Sequence, residues 1–160
     1  MKFSTGIGYD VHPLRSGRRL ILGGIEIPYQ KGLVGHSDAD VLLHAICDAL
    51  LGAVGEGDLG QHFPDTDPRY RDISSLKLLE AVRDRVTAKG YQVVHLDTVL
   101  IAEEPRLAPY IPQMRSAVAK CLGLSEAAVN IKAKTNEKLG FIGRGEGIAA
   151  QAISTLVKES

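Results

Sequence analysis

Gly35-His36-Ser37-Asp38-Ala39-Asp40-Val41-Leu42-Leu43-His44 runs straight into Ala45-Ile46-Cys47-Asp48-Ala49-Leu50-Leu51-Gly52-Ala53, a polar loop that becomes an apolar segment. Ser37 followed three residues later by Asp40 has the form of a capping box, with an acid in place of the usual Glu or Gln. Residues 39–54 are apolar on almost every helical face, which predicts a buried helix. One stripe departs from this. At about 100° per residue, Ser37, Asp40, His44 and Asp48 fall within a sector of roughly 80°. Carboxylates and an imidazole on a buried helix must find partners. A hydrogen-bonded core histidine with its aspartate is one account of them, and a functional cluster is the other.

Upstream of this helix, residues 2–12 alternate as a strand. Phe3, Thr5, Ile7, Tyr9 and Val11 face one way, and Gly6, Gly8, Asp10 and His12 the other. The two glycines leave room for another backbone or a ligand to approach. Residues 18–27 read as a short hairpin turning at Gly23-Gly24, and residues 28–35 as loop. Downstream, residues 55–68 hold three glycines, two prolines and four acids. Such density predicts an ordered functional loop and not a linker.

A second helix is expected over 73–89, stopped by Gly90, and a strand over 91–102. Glu103-Glu104-Pro105-Arg106 makes a polar turn. A third helix follows over 109–122, then a strand over 129–135. A second glycine-rich loop spans 136–147. Residues 148–157 are small and apolar, and periodicity leaves strand and helix open there. The order predicts an α+β fold in which a mixed four-stranded sheet, with a small separate hairpin, carries helices on one face.

At 160 residues, the chain is expected to form one domain, residues 1–160. Lys plus Arg equals Asp plus Glu at 19, so no net field favours nucleic acid or an anionic membrane. No apolar run approaches the ~20 residues of a membrane span. Residues 1–6 lack a signal-peptide apolar region. Cys47 and Cys121 are isolated thiols within helical patterns. A cytoplasmic protein is the expectation.

Asp10 and His12, two residues apart on one strand face, lie about 6.5–7 Å apart along the backbone. With His44 they form an Asp-His-His set, and three protein ligands with one open position is the pattern of a catalytic zinc site. Scattered core histidines are the competing account. His62 and His95 lack such company and are read as structural.

The chain resembles the 2-C-methyl-D-erythritol 2,4-cyclodiphosphate synthase family. The resemblance rests on Gly6-Ile7-Gly8-Tyr9-Asp10-Val11-His12, the segment from His36 to His44, and Gly57-Asp58-Leu59-Gly60 through Phe63-Pro64-Asp65-Thr66-Asp67. Tyr110-Ile111-Pro112-Gln113-Met114-Arg115 and residues 137–147 extend it over nearly the whole chain. It implies a phosphorus–oxygen lyase that turns 4-diphosphocytidyl-2-C-methyl-D-erythritol 2-phosphate into the cyclic 2,4-diphosphate and CMP, in the non-mevalonate isoprenoid pathway. It also implies a homotrimer with active sites at subunit junctions. Zinc would lie on Asp10, His12 and His44, and a second ion, magnesium or manganese, on Glu137.

The same resemblance assigns His36 and Thr135 to the phosphates near the transition state, with Ser37 sharing that work or capping the helix. Asp58, Leu59 and Gly60 match a pocket for the erythritol hydroxyls, walled by Phe63, Pro64 and Asp65 and continued by Thr66 and Asp67. For Asp58, a turn-stabilising role is the alternative. Ala102, Glu103, Glu104, Pro105, Arg106, Leu107 and Ala108, with Lys134, Thr135, Asn136 and Glu137, match the nucleotide pocket. Glu103-Glu104 is more acidic than the Gln- and Lys-containing versions of that turn. Asp38 and Asp40 would orient the histidines by hydrogen bonds to their distal N–H groups. Phe141 and Arg144 match a region at the trimer centre, where Arg144 could ring a cavity able to take an isoprenoid diphosphate.

Two other classes compete. A zinc hydrolase would need a general base near a metal-bound water, for which Asp40 is the candidate. A trimeric phosphometabolite-binding protein would need no chemistry, but then an open metal site has no purpose.

Overall fold

A computed structural model describes residues 1–160. Strand β1 (Lys2–Ser16) is followed by the hairpin β2 (Leu20–Leu22) and β3 (Ile25–Ile27), a short strand β4 (Lys31–Leu33) and helix α1 (Val41–Ala53). The one-turn α2 (Leu59–His62), then α3 (Ser75–Ala88), β5 (Gln92–Ile101) and α4 (Ile111–Leu122) come next. Strand β6 (Val129–Lys134), the one-turn α5 (Gly140–Gly143) and β7 (Gly147–Lys158) complete the chain. The main sheet runs β4-β1-β7-β5-β6, and the hairpin stands apart from it. Only β5 and β6 pair in parallel. No helix is long and apolar enough to cross a membrane.

The α+β class agrees with the expectation, but the sheet has five strands and not four. The extra strand is β4, within the stretch read as loop. Three residues are too few for alternation to register, and β4 exists because β1 continues past His12 to pair with it at Leu14, Arg15 and Ser16. Pro13 sits at the changeover, where pairing with β7 ends and pairing with β4 begins. Residues 148–157 belong to β7, the strand between β1 and β5.

Ten of the thirteen residues of α1 are buried, so this helix is the centre of the core. Its cap differs from the expected box. Asp40 is the N-cap and accepts from the Leu43 N–H at 3.1 Å, while the Ser37 hydroxyl oxygen accepts from the Ala39 N–H. The helix lies directly on the backbone of β1. A methyl group added at Gly6 would stand 1.9 Å from the Ala49 carbonyl oxygen, and one at Gly8 would stand 1.9 Å from that of Ala45. Across the ladder, Gly6 pairs with Ser154 and Gly8 with Ala152. The Ser154 hydroxyl donates to the Ala49 carbonyl, which ties β7 to the same helix.

The other face of the sheet is bare. Phe3, Ile7, Tyr9, Val11 and Ile153 are all exposed, and Ile7 pairs with Ile153. An apolar sheet face of this extent marks an interaction surface.

Candidate active site

With its two glycines admitting α1 so closely, β1 delivers Asp10 and His12 beside the first turn of that helix. His12 Nε2 lies 2.9 Å from Asp10 Oδ2, and His44 Nδ1 lies 3.1 Å from the same oxygen. The two nitrogens are 3.2 Å apart. His12 Nδ1 faces the Val34 carbonyl at 2.9 Å, and since a carbonyl only accepts, that nitrogen carries the proton. Nε2 then presents a lone pair to Asp10 and His44. With both rings neutral and His44 bare at Nδ1, acceptors from three residues converge, and a cation among them relieves their repulsion. A tetrahedral ion with bonds of about 2.1 Å holds its ligands roughly 3.4 Å apart, close to the three edges here. The donor set fits zinc in number, type and spacing.

Protonated imidazoles can take the cation's place by donating to Asp10. Burial works to raise the Asp10 carboxyl, but hydrogen bonds from His12 and His44 prevail and bring it to about 2. Burial works to lower the His12 imidazole, but the hydrogen bond and charge of Asp10 and the Val34 carbonyl raise it.

The far nitrogen of His44, Nε2, is held by two hydroxyls, Ser75 Oγ at 2.9 Å and Ser37 Oγ at 3.1 Å. Ser75 is fully buried at the start of α3. Its hydroxyl and its backbone N–H both donate to Asp38, which also accepts from the Asp40 N–H. Asp38 therefore reaches His44 through Ser75 and not directly. Asp40 does not reach a histidine at all. It is completely buried, and its carboxylate accepts from the N–H groups of Gly23, Gly24 and Leu43. Burial pushes it up to about 6 against those three donors. Its role is to cap α1 and to dock the hairpin turn.

The triad lines a cavity of about 540 Å³. His36, Ser37, Asp58, Leu59 and Gly60 line it, with Phe63, Pro64 and Asp65. Asp58 does both jobs considered for it, since it also caps α2 by accepting from the Gln61 N–H. His36 Nε2 donates to the Asp67 carbonyl at 2.7 Å. Thr66 and Asp67 are not in the lining, and the Asp67 side chain is engaged by Arg69 instead. Asp48 and Tyr70 line the cavity too. Asp48 was legible on the polar stripe of α1, and it accepts from the Leu59 N–H at 2.7 Å, tying the loop to the helix. Tyr70 and Ser75 carried no sequence signal.

Thr135 lies elsewhere. With Lys134 and residues 102–108 it lines a second cavity, of about 510 Å³, which shares no residue with the first. Tyr29, from the stretch read as loop, also lines it. Glu103 has a definite task there. Its carboxylate accepts from the N–H groups of Asn136 and Lys138, both at 3.0 Å. It thereby latches the loop in which Glu137 and Lys138 adopt positive φ. Asn136 and Glu137 stand beside this cavity without lining it. Phe141 and Arg144 are exposed, with Arg144 paired to Glu146. Cys47 and Cys121 are buried free thiols, both raised by burial, which disfavours the nucleophilic thiolate.

A profile of the YgbB family matches residues 3–157. The chain is 60% identical to the 2-C-methyl-D-erythritol 2,4-cyclodiphosphate synthase of Halalkalibacterium halodurans, over 96% of this chain and 98% of that protein. Among solved structures, the bifunctional IspDF from Campylobacter jejuni superposes with a TM-score of 0.95 at 41% identity. That match covers 99% of this chain and 43% of the longer one. The CDP complex of Plasmodium falciparum IspF matches with a TM-score of 0.87 at 30% identity, covering 99% of this chain and 97% of that one.

Proposed function

The chain belongs to the YgbB family, and from that premise we propose that it is a cyclodiphosphate synthase of the non-mevalonate isoprenoid pathway. Its substrate is 4-diphosphocytidyl-2-C-methyl-D-erythritol 2-phosphate. An oxygen of the 2-phosphate attacks the β-phosphorus, the bond from that phosphorus to the bridging oxygen breaks, and CMP departs with the electron pair. The observation that carries this reading is the convergent Asp10-His12-His44 triad in the wall of a cavity also lined by acids and glycines.

Such a displacement needs positioning and charge neutralisation more than covalent help. Zinc held by Asp10, His12 and His44, with magnesium or manganese held through Glu137, would supply positive charge beside the phosphates. The remaining work falls to the chain. Asp58 and the Gly60 amide suit a polyol, with Phe63 and Pro64 as a wall. His36 has Nε2 committed to Asp67, so it donates to a phosphate only through Nδ1 and only as the imidazolium. Thr135 and Lys134 would meet the phosphates from the nucleotide side, a role in keeping with a relative from Plasmodium falciparum that forms a CDP complex. The hydrolase reading loses its base, since Asp40 is buried on backbone amides. Phosphorus NMR with the cytidyl substrate tests the assignment. Cyclic diphosphate and CMP are expected, whereas a linear product or no change would overturn it.

We read the assembly as a homotrimer. His36 and Thr135 line separate cavities within one chain, so a shared site calls for a neighbour. The bare apolar sheet face supplies a surface for one. Ile7→Asp on that face is expected to convert trimers to monomers in sedimentation, abolishing cyclisation while zinc stays bound. A monomeric wild type would refute the shared site.

A further inference from the structure

We propose that Gly35 and Ala39 share one slot beside the His12 ring, and that its filling by a single methyl group positions that ring for the metal. Both are positioning residues, acting through His12. The proposal rests on the assignment of Asp10, His12 and His44 as ligands.

The two residues stand the wrong way round for their backbones. Ala39 has a φ of 58°, in the left-handed region where a Cβ crowds a carbonyl oxygen and glycine is the usual occupant. Gly35 lies outside that region, so its backbone is open to alanine. Strain kept at a buried position beside a reactive centre is held by what surrounds it. Ala39 is completely buried. Hydrogen bonds do part of the holding. The Ser37 hydroxyl oxygen accepts from the Ala39 N–H at 3.2 Å, and Asp38 accepts from the Asp40 N–H at 3.1 Å. A glycine at position 39 would keep both bonds without the strain. What alanine adds is its methyl group.

Space accounts for the arrangement. A methyl group on Gly35 would stand 3.0 Å from the Ala39 Cβ, 3.0 Å from His12 Cε1 and 3.1 Å from His12 Nδ1. Non-bonded carbons pack at about 3.5–4.0 Å, so the slot has no room for a second methyl. The bare Gly35 Cα thus lies against the ring edge and the Ala39 methyl together. Val34, next to it, holds the same ring. Its carbonyl lies 2.9 Å from His12 Nδ1, and its N–H donates to the Pro13 carbonyl at 3.0 Å. Ring and loop are therefore seated on each other by one hydrogen bond and one close contact. Overfilling the slot pushes the ring, or the loop that holds it, out of place. Emptying it relieves Ala39 but leaves a gap beside the ring. Exchanging the two residues keeps one methyl and suits both backbones.

The contact itself is read without metal and without a variant. Proton NMR of metal-free, full-length protein is expected to show a nuclear Overhauser effect between the Gly35 Hα protons and His12 Hε1. Its absence would overturn the proposal. Zinc affinity, measured against a competing chelator, and thermal unfolding are then compared for Gly35→Ala, Ala39→Gly and the protein carrying both. Gly35→Ala should lose about tenfold or more in zinc affinity, as loss of an outer partner of a metal-bound histidine commonly does. The doubly substituted protein should regain most of that loss, a coupling that independent sites do not show. Wild-type affinity in Gly35→Ala would overturn the proposal, and so would a double variant in which the two changes merely add. Where Gly35→Ala does not fold, the double variant decides alone. Folded with near wild-type affinity it supports the shared slot, and unfolded it refutes it. Failure of the ligand assignment looks different, because wild type would then bind no zinc. The Overhauser contact and the recovery of thermal stability would still be read.

Discussion

His44→Ala is expected to drop zinc from one ion per chain to a small fraction, and cyclisation by about a thousandfold. The reasoning begins with the triad. Asp10 and His12 come from one strand and stay together in the variant, so a two-ligand remnant survives. Two ligands leave half of a tetrahedral shell to water, and affinity falls steeply. The lost ion is worth several kcal/mol of charge stabilisation during phosphoryl transfer, and about 4 kcal/mol corresponds to three orders of magnitude in rate. Elemental analysis after dialysis reports the zinc, and phosphorus NMR the turnover. Full zinc occupancy in the variant would remove His44 from the ligand set.

Magnesium titration of zinc-replete wild type and Glu137→Gln should give well-separated curves, with wild type nearly inactive until magnesium or manganese is added. On the proposed assignment the second ion would have one protein carboxylate and the substrate's oxygens, whereas zinc would have two nitrogens and a carboxylate. Magnesium commonly binds in that sparse way. The variant should need more divalent ion and lose mainly turnover, because charge on the departing CMP grows along the reaction. Its zinc should be untouched. The Glu103 carboxylate holds the loop through backbone N–H groups of Asn136 and Lys138, so removing the Glu137 charge leaves the loop latched. Coincident curves would show that Glu137 is not the second ligand.

What could be read in advance followed from periodicity and spacing. The buried helix and the alternating first strand, which sets Asp10 beside His12, are local patterns with one simple geometric consequence; the place of His44 beside them rested on ligand chemistry and on the family resemblance. Elements defined by a partner were harder. Strand β4 is three residues long and exists only through its pairing with β1. Residues 148–157 are a strand because β1 and β5 flank them, and nothing in a run of small and apolar residues says so. Side-chain duties inside the polar loop were misassigned for the same reason. Asp38 and Asp40 are two residues apart and look alike in sequence. One turns to Ser75 on a distant helix and the other to the Gly23-Gly24 turn, contacts that only the fold creates. Glu103 looked like an irregularity in a nucleotide pocket and proved to be a clamp between loops.

The glycines of β1 bear on how this protein can change over evolutionary time. At Gly6 and Gly8 the distance from strand to helix is set by peptide groups in contact, with no layer of side chains between them. Elsewhere in the core, leucines and valines can be exchanged, and each exchange shifts neighbouring elements by fractions of an ångström. Such drift does not readily reach the junction that carries Asp10 and His44, because nothing compressible lies there. A lineage can therefore trade stability up and down through its core while the reactive geometry stays put. The cost of that insulation is a pair of positions that admit no experiment, since any side chain at Gly6 or Gly8 pries the helix away from the strand.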